Sequence, residues 1–322
     1  MRTRLEAVMA AACLALAPFS PSVAQSYPAR PVHIIVAFAP GGPVDVVARV
    51  AAEKLPEILG QPVVVENRPS STGNLGTQVV AKAPPDGYTI LATSSAFAVN
   101  VSLSPNAGYD PDRDFAPIIQ AATQPNVIVV NSEFPAKTLT ELLEMAKIMK
   151  LAYASPGTGT TPHLTGEHLF KAIAKLDVVH IPYKGAAPAA LAVVAGEPPI
   201  GSLAVTAPLP FVRSGRLRAL AISSATRHRL LPEVPTFAEL GYPEIEEYTW
   251  VGFFAPAGTP PEVVQKLNEA INRVLQIRDV RERLESLTFE PIGGSPQQFA
   301  DYVRLEVAKW AIVVKQTGAK VE

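Results

Sequence analysis

The run VHIIVAF, residues 32–38, empties into Pro40-Gly41-Gly42-Pro43 and then into a stretch where Val47, Val50, Ala51, Leu55 and Ile58 recur at helical spacing. A short apolar run bounded by turn residues suits a strand covered on both faces, and a glycine loop that hands it to a helix is the unit from which α/β folds are built. The same alternation continues along the chain. Strands are expected at 63–66, 88–92, 127–130, 151–154, 178–181, 200–205 and 217–222.

Helix starts are legible from their capping residues. Thr138 with Glu141 and Thr236 with Glu239 have capping-box spacing, and Gly241 is expected to end the second of these helices. Thr259-Pro260-Pro261-Glu262 combines that spacing with proline at the first helical position. Ser295-Pro296-Gln297-Gln298 repeats the device before a final helix expected to run to Gly318. Pro56 is expected to kink or shorten the end of the first helix.

The opening residues read as a targeting segment. Arg2 and Arg4 precede an apolar run broken only by Glu6, and Ser22-Val23-Ala24 supplies small residues for cleavage, so residues 1–24 are expected to be a signal peptide and the mature protein periplasmic. Removing two arginines and one glutamate takes the formal charge from −1 to −2, which argues against a nucleic-acid partner. The single cysteine, Cys13, goes with the leader, so the mature fold needs no disulfide and has no thiolate for a metal. No metal or cofactor is expected, and the 48% of hydrophobic residues are enough for a core held by packing alone.

Two junctions carry the chemistry. The first is Phe38-Ala39-Pro40-Gly41-Gly42-Pro43-Val44-Asp45; the second is Ala154-Ser155-Pro156-Gly157-Thr158-Gly159-Thr160-Thr161-Pro162-His163. Each sends a strand through a glycine-rich loop into a helix, whose free first-turn amides attract an anion. One such loop alone is as well explained as a tight turn. Two, far apart in sequence and in different lobes, are suited to clamp a carboxylate without lysine or arginine.

The chain resembles the Bug family, the periplasmic binding components of tripartite tricarboxylate transporters. The matching blocks include Pro40-Gly41-Gly42 with Asp45, Val65-Glu66-Asn67-Arg68-Pro69, Gly73-Asn74-Leu75-Gly76 and Asp86-Gly87-Tyr88-Thr89. Tyr153-Ala154-Ser155-Pro156-Gly157, His163-Leu164-Thr165-Gly166-Glu167, Pro182-Tyr183-Lys184-Gly185 and Leu231-Pro232-Glu233-Val234-Pro235-Thr236 follow in order. The resemblance implies an α/β type II periplasmic binding protein, two α/β lobes joined by two crossovers with the ligand cleft between them. It places lobe one at 25–125 plus 250–322 and lobe two at 126–249. It implies a monomer that captures a small organic carboxylate and delivers it to inner-membrane permease subunits.

Carried over by position, Gly41, Gly42 and Asp45 face the ligand from one side, and Thr158, Gly159, Thr160 and Thr161 from the other, with Ser94 and Ser95 as further candidates; Phe38 is a candidate for packing on the ligand and reads at least as well as a core residue. The chain departs from the family at Ser70-Ser71-Thr72, where small residues are usual, and at Pro198-Pro199, where an aspartate is usual.

Blander readings sit beside these. Asp45 near a helix start also offsets the helix dipole, and His163 with Glu167, four residues apart, reads as a structural pair rather than a metal site. Ser155 lacks the Gly-x-Ser-x-Gly elbow of a hydrolase. The expectation is therefore a binding protein and not an enzyme. A ligand-sensing receptor for a membrane signalling partner is the alternative, with a secreted hydrolase or lyase behind it.

Overall fold

Parallel strands paired through helical crossovers define the architecture of the computed structural model, which describes residues 27–70, 72–104 and 107–318; the expected signal peptide and Ser71 lie outside these. In the first lobe β1 (Val32–Val36) lies between β2 (Val63–Asn67) and β3 (Thr89–Ser94), all parallel. Helices α1 (Pro43–Leu59), α2 (Asn74–Ala81) and α3 (Ala96–Leu103) follow these strands in turn. In the second lobe β5 (Leu151–Ser155) pairs in parallel with both β6 (Val178–Pro182) and β7 (Ile200–Ala204). Helix α4 (Leu139–Ile148) precedes β5. Helix α5 (Thr161–Glu167) follows it, continued by a π-helical turn (His168–Ile173). Helices α6 (Ala186–Ala195) and α7 (Leu209–Arg213) and strand β8 (Leu217–Ile222) complete this lobe.

Two antiparallel strands join the lobes. The 17-residue β4 (Phe115–Asn131) pairs along its first part with β9 (Tyr248–Pro256) and along its last part with β7 and β8. The chain therefore crosses twice, side by side, with Pro125 opposite Tyr248. Beyond β9 come α8 (Pro261–Gln276), α9 (Arg278–Ser286), the short β10 (Glu290–Pro291), which returns to β4, and α10 (Pro296–Thr317).

The side-chain alternation of β4 divides the second core. Ile128 and Val130 enter a cluster with Tyr153, Phe170 and Phe237, whereas Val127 and Val129 enter one with Val193 and Leu203. The first lobe has its own cluster, where Ile34, Leu91, Trp250, Phe253, Phe254 and Trp310 are almost fully buried.

The crossovers are stitched by buried polar groups. Asn126 accepts from Thr249 Oγ1 (2.7 Å) and donates to Thr165 Oγ1 (3.0 Å), which lies 2.5 Å from Glu247 Oε2. On the neighbouring strand position, Gln124 Oε1 accepts from Thr206 N (3.0 Å) and Thr206 Oγ1 (2.6 Å). The Asn126–Thr165 bond fixes how the crossing strands sit against α5, whereas Gln124 Nε2 is buried with no partner among the described residues.

Several sequence expectations need correction. The strand expected at 127–130 is only the end of β4, whose earlier part is hidden by Pro117 and Pro125 and by register shifts between Pro117 and Ile119 and between Gln120 and Ala122. Strand β9 went unpredicted; buried on nearly every side, it lacks the polar alternation that marks a strand. Helix α1 continues past Pro56 to Leu59 and ends on left-handed Gly60 (φ 72°). Thr259 does not cap α8: its hydroxyl donates to Pro256 O and Pro260 takes the capping position. Thr236 and Glu239 exchange both capping-box bonds, at 2.7 and 3.1 Å, yet close only a series of turns. The Ser295–Gln298 box is complete and α10 ends at Gly318, as expected.

Candidate functional site

The cleft is built where three strand–glycine–helix junctions converge. From the first lobe it takes Phe38, Gly42, Pro43 and Val44 at the start of α1, with Ser94 at the end of β3. From the second it takes Pro156, Thr160 and Pro162 around the start of α5, and Gly185 with Ala186 at the start of α6. Ala204 and Thr249 line it beside the crossing strands. The two lobes approach closely here: a Cβ on Gly185 would lie 3.2 Å from the Ala39 side chain, and one on Gly42 would lie 3.9 Å from Ala186 N.

Unused backbone donors surround this space. Among the described residues the amides of the lining residues Val44 in α1 and Ala186 in α6 have no acceptor, nor do those of Asp45, Thr161 and Ala187, which stand just behind the lining. Pro43 and Pro162 have no N–H, and His163 N is already bonded to Thr160 Oγ1 (3.4 Å), so each helix start offers only one or two donors. The partial positive charge of these helix ends favours a negatively charged group between them.

Asp45 shapes the first loop rather than facing an open space. Its carboxylate is buried and accepts from Gly41 N (2.9 Å), Asn67 Nδ2 (2.9 Å) and Arg49 Nε (3.0 Å). Burial pushes this carboxyl up, but the bonds from Arg49, Gly41 and Asn67 outweigh it and hold the group below the usual aspartate range. Asn67 Nδ2 also donates to Phe38 O (3.0 Å), so one polar cluster pins both ends of the turn that presents Gly42.

The second loop is held in a similar way. Thr160 Oγ1 donates to Gly157 O (2.8 Å), and Gly159 N donates to His163 Nδ1 (3.2 Å). His163 stacks on His180 with ring centres 4.0 Å apart, and His180 Nε2 meets Ser155 Oγ at 2.7 Å. Burial, the neighbouring His180 and Lys171 hold His163 well below the usual histidine range; burial and Lys171 push His180 down to about 4. Both imidazoles are therefore neutral at pH 7. The expected pair between His163 and Glu167 does not form: Glu167 accepts from Tyr153 OH (2.8 Å) and from Lys171 Nζ (2.8 Å).

Of the ten residues singled out in the sequence, Phe38, Gly42, Ser94 and Thr160 line the cleft. Gly41, Asp45, Ser95 and Thr161 stand one layer behind, where Ser95 Oγ and Thr161 Oγ1 hydrogen-bond across the two lobes. Gly159 packs against Asn100 of α3, and Thr158 lies on the same loop, half-buried. Sequence reasoning missed Gly185 and Ala186, although β6 running into Gly185 and an alanine-rich helix repeats the strand–glycine–helix pattern. It also missed Thr249 and Ala204, which reach the cleft only through the strand crossing and have no local signal. A larger groove lies across the crossing strands near Arg227, His228 and Arg229, but Arg227 is already paired with Glu239 and Arg229 with Glu285.

Comparison with known proteins places this geometry in context. Residues 47–319 match the family model described as tripartite tricarboxylate transporter family receptor. A UPF0065 protein from the tcbD–tcbE intergenic region of Pseudomonas sp. strain P51 is 42% identical over 288 residues, covering 88% of this chain and 85% of its own. Among solved structures, the periplasmic binding protein BugD superposes with a TM-score of 0.88 at 36% identity, over 92% of this chain and all of its own. An R. palustris protein solved with adipate gives 0.88 at 34% identity, with the same coverage.

Proposed function

The chain belongs to the tripartite tricarboxylate transporter receptor family, a family of periplasmic solute-binding proteins, and we propose that its own guest is a small organic carboxylate held between the starts of α1, α5 and α6. The observation that carries this reading is that Gly42 and Thr160, the residues capping two helices from different lobes, line one cleft. Backbone amides recognise a carboxylate by partial charge and direction, and they need no cationic side chain. Ser94 and Thr249 add hydroxyls along the wall.

In this reading lobe one is 25–125 plus 250–322 and lobe two is 126–249, and the paired strands β4 and β9 are the hinge about which they close on the guest. Residues 1–24 direct export to the periplasm, and the closed monomer presents its cargo to membrane permease subunits. The protein binds without turnover. Among the described residues Ser155 and His180 form the one serine–histidine contact near the cleft, but Ser155 is fully buried, its hydroxyl is engaged with Gly157, and His180 has no carboxylate partner there.

A thermal-shift screen across organic acids tests the proposal. A guest that binds only the folded state raises the melting temperature in proportion to the logarithm of its concentration above Kd. Failure of every carboxylate to shift the transition at millimolar concentration would remove the reading. Chemical change of a bound acid, followed by mass spectrometry, would favour the enzyme alternative instead.

A further inference from the structure

The walls of the cleft restrict the guest more closely than its carboxylate does. Among the described residues, seven of the twelve that line the space are Phe38, Pro43, Val44, Pro156, Pro162, Ala186 and Ala204; the polar side chains are the hydroxyls of Ser94, Thr160 and Thr249, and none is charged. The Thr160 hydroxyl proton is already committed to Gly157 O. Asp45, one layer behind the α1 loop, is negative and neutralised by Arg49. The nearest imidazole, His163, is neutral.

The positive potential is correspondingly limited. The starts of the 17-residue α1 and the 10-residue α6 each contribute roughly half a unit of positive charge, and the seven-residue α5, with one free first-turn amide, adds a smaller share. Together they match about one carboxylate. A second carboxylate on the same guest would have to leave water for a wall of proline, valine, alanine and phenylalanine where the Thr249 proton is also committed, to Asn126 Oδ1, and only the Ser94 hydroxyl is free to donate. An ionised group buried without a charged partner or a full set of hydrogen bonds strongly opposes binding.

We infer that the guest is a compact monocarboxylate with an uncharged, largely apolar body, not a dicarboxylate. This rests on the carboxylate reading above and sharpens it. The relative solved with adipate binds a six-carbon diacid. This chain is expected to prefer the six-carbon acid that lacks the second carboxyl group.

Isothermal titration calorimetry of the purified protein with matched pairs tests the inference: hexanoate against adipate, butyrate against succinate, benzoate against terephthalate. The expected result is that the monoacid binds at least tenfold more tightly in the best pair, a difference of about 1.4 kcal/mol. Binding of that monoacid should fall at least tenfold in Gly42→Val. A diacid that binds as tightly as its monoacid, or more tightly, overturns the inference and leaves the carboxylate reading intact. A monoacid whose affinity survives Gly42→Val occupies another place and also overturns it. No binding by any member of any pair overturns the carboxylate reading and this inference together.

Discussion

Trp250 on β9 and Trp310 on α10 share one acceptor: each indole Nε1 donates to Glu306 Oε2, at 2.9 Å in both cases. Both rings are fully buried, so the carboxylate ties the last helix to a strand that crosses between the lobes. Replacing Glu306 with alanine leaves two indole donors without an acceptor. At roughly 1–3 kcal/mol for each orphaned buried donor, the loss expected is about 2–6 kcal/mol. Glu306→Gln retains an oxygen in the same place and should lose much less. Urea unfolding followed by tryptophan fluorescence gives both values; equal losses in the two variants would mean that the shared acceptor is not what stabilises this contact.

Much of this architecture is legible before any coordinates. β1, β5, β6 and β8 announce themselves as apolar runs between turn residues, and Ser295 with Gln298 fixes the start of α10 by local chemistry alone. Illegible are the features created by long-range pairing. The first part of β4 is masked by its prolines and becomes a strand because β9 supplies its partners. In the same way Phe38, Gly42 and Thr160 are readable because a strand–loop–helix junction is a local pattern, whereas Thr249 and Ala204 reach the cleft only through the crossing. Asp45 carries an ambiguous sequence signal; its bonds to Gly41, Arg49 and Asn67 assign it to holding the loop.

Gly42→Val separates binding from folding. Gly42 has φ −85°, open to any residue, and an added Cβ meets nothing closer than 3.7 Å. The valine methyls extend beyond it toward Ala186 N and into the cleft. The melting temperature should stay within a few degrees of the parent while affinity for the best carboxylate falls at least tenfold. Thr160→Val should also lose at least tenfold, with an added stability loss of about 1 kcal/mol because the cap on His163 N disappears. Unchanged affinity in both variants would put the guest somewhere else.

Acidification should destabilise the second loop through its two imidazoles. The folded-state values of His163 and His180 lie below the unfolded value near 6.5, with His180 at about 4. Between those limits the unfolded chain binds more protons, so this stability is present above pH 6.5 and is lost as pH falls toward 4. The limiting slope is about 1.4 kcal/mol per pH unit for each histidine. Urea midpoints between pH 7.5 and 4.5 should fall along this course, and His180→Gln should make the fall shallower. A variant whose pH profile overlays that of the parent would show that His180 does not carry the effect.

Gly159→Ala tests whether the lobes meet at the loop that follows β5. At φ +81° an alanine is strained whatever the space, and its Cβ would fall 1.7 Å from Asn100 Oδ1 on α3. Asn100 has little freedom to withdraw, because its Nδ2 donates to Thr72 O (2.6 Å) and Asn74 Oδ1 (2.8 Å). The substitution should therefore hold the lobes apart and reduce carboxylate affinity at least tenfold. Backbone strain alone predicts the same sign, so the double variant decides between them. Adding Asn100→Ala removes the obstructing oxygen, and if collision between the lobes is the cause, affinity should recover beyond the sum of the two single effects. Additive losses in the calorimetric cycle would assign the defect to the strained glycine position and not to contact across the cleft.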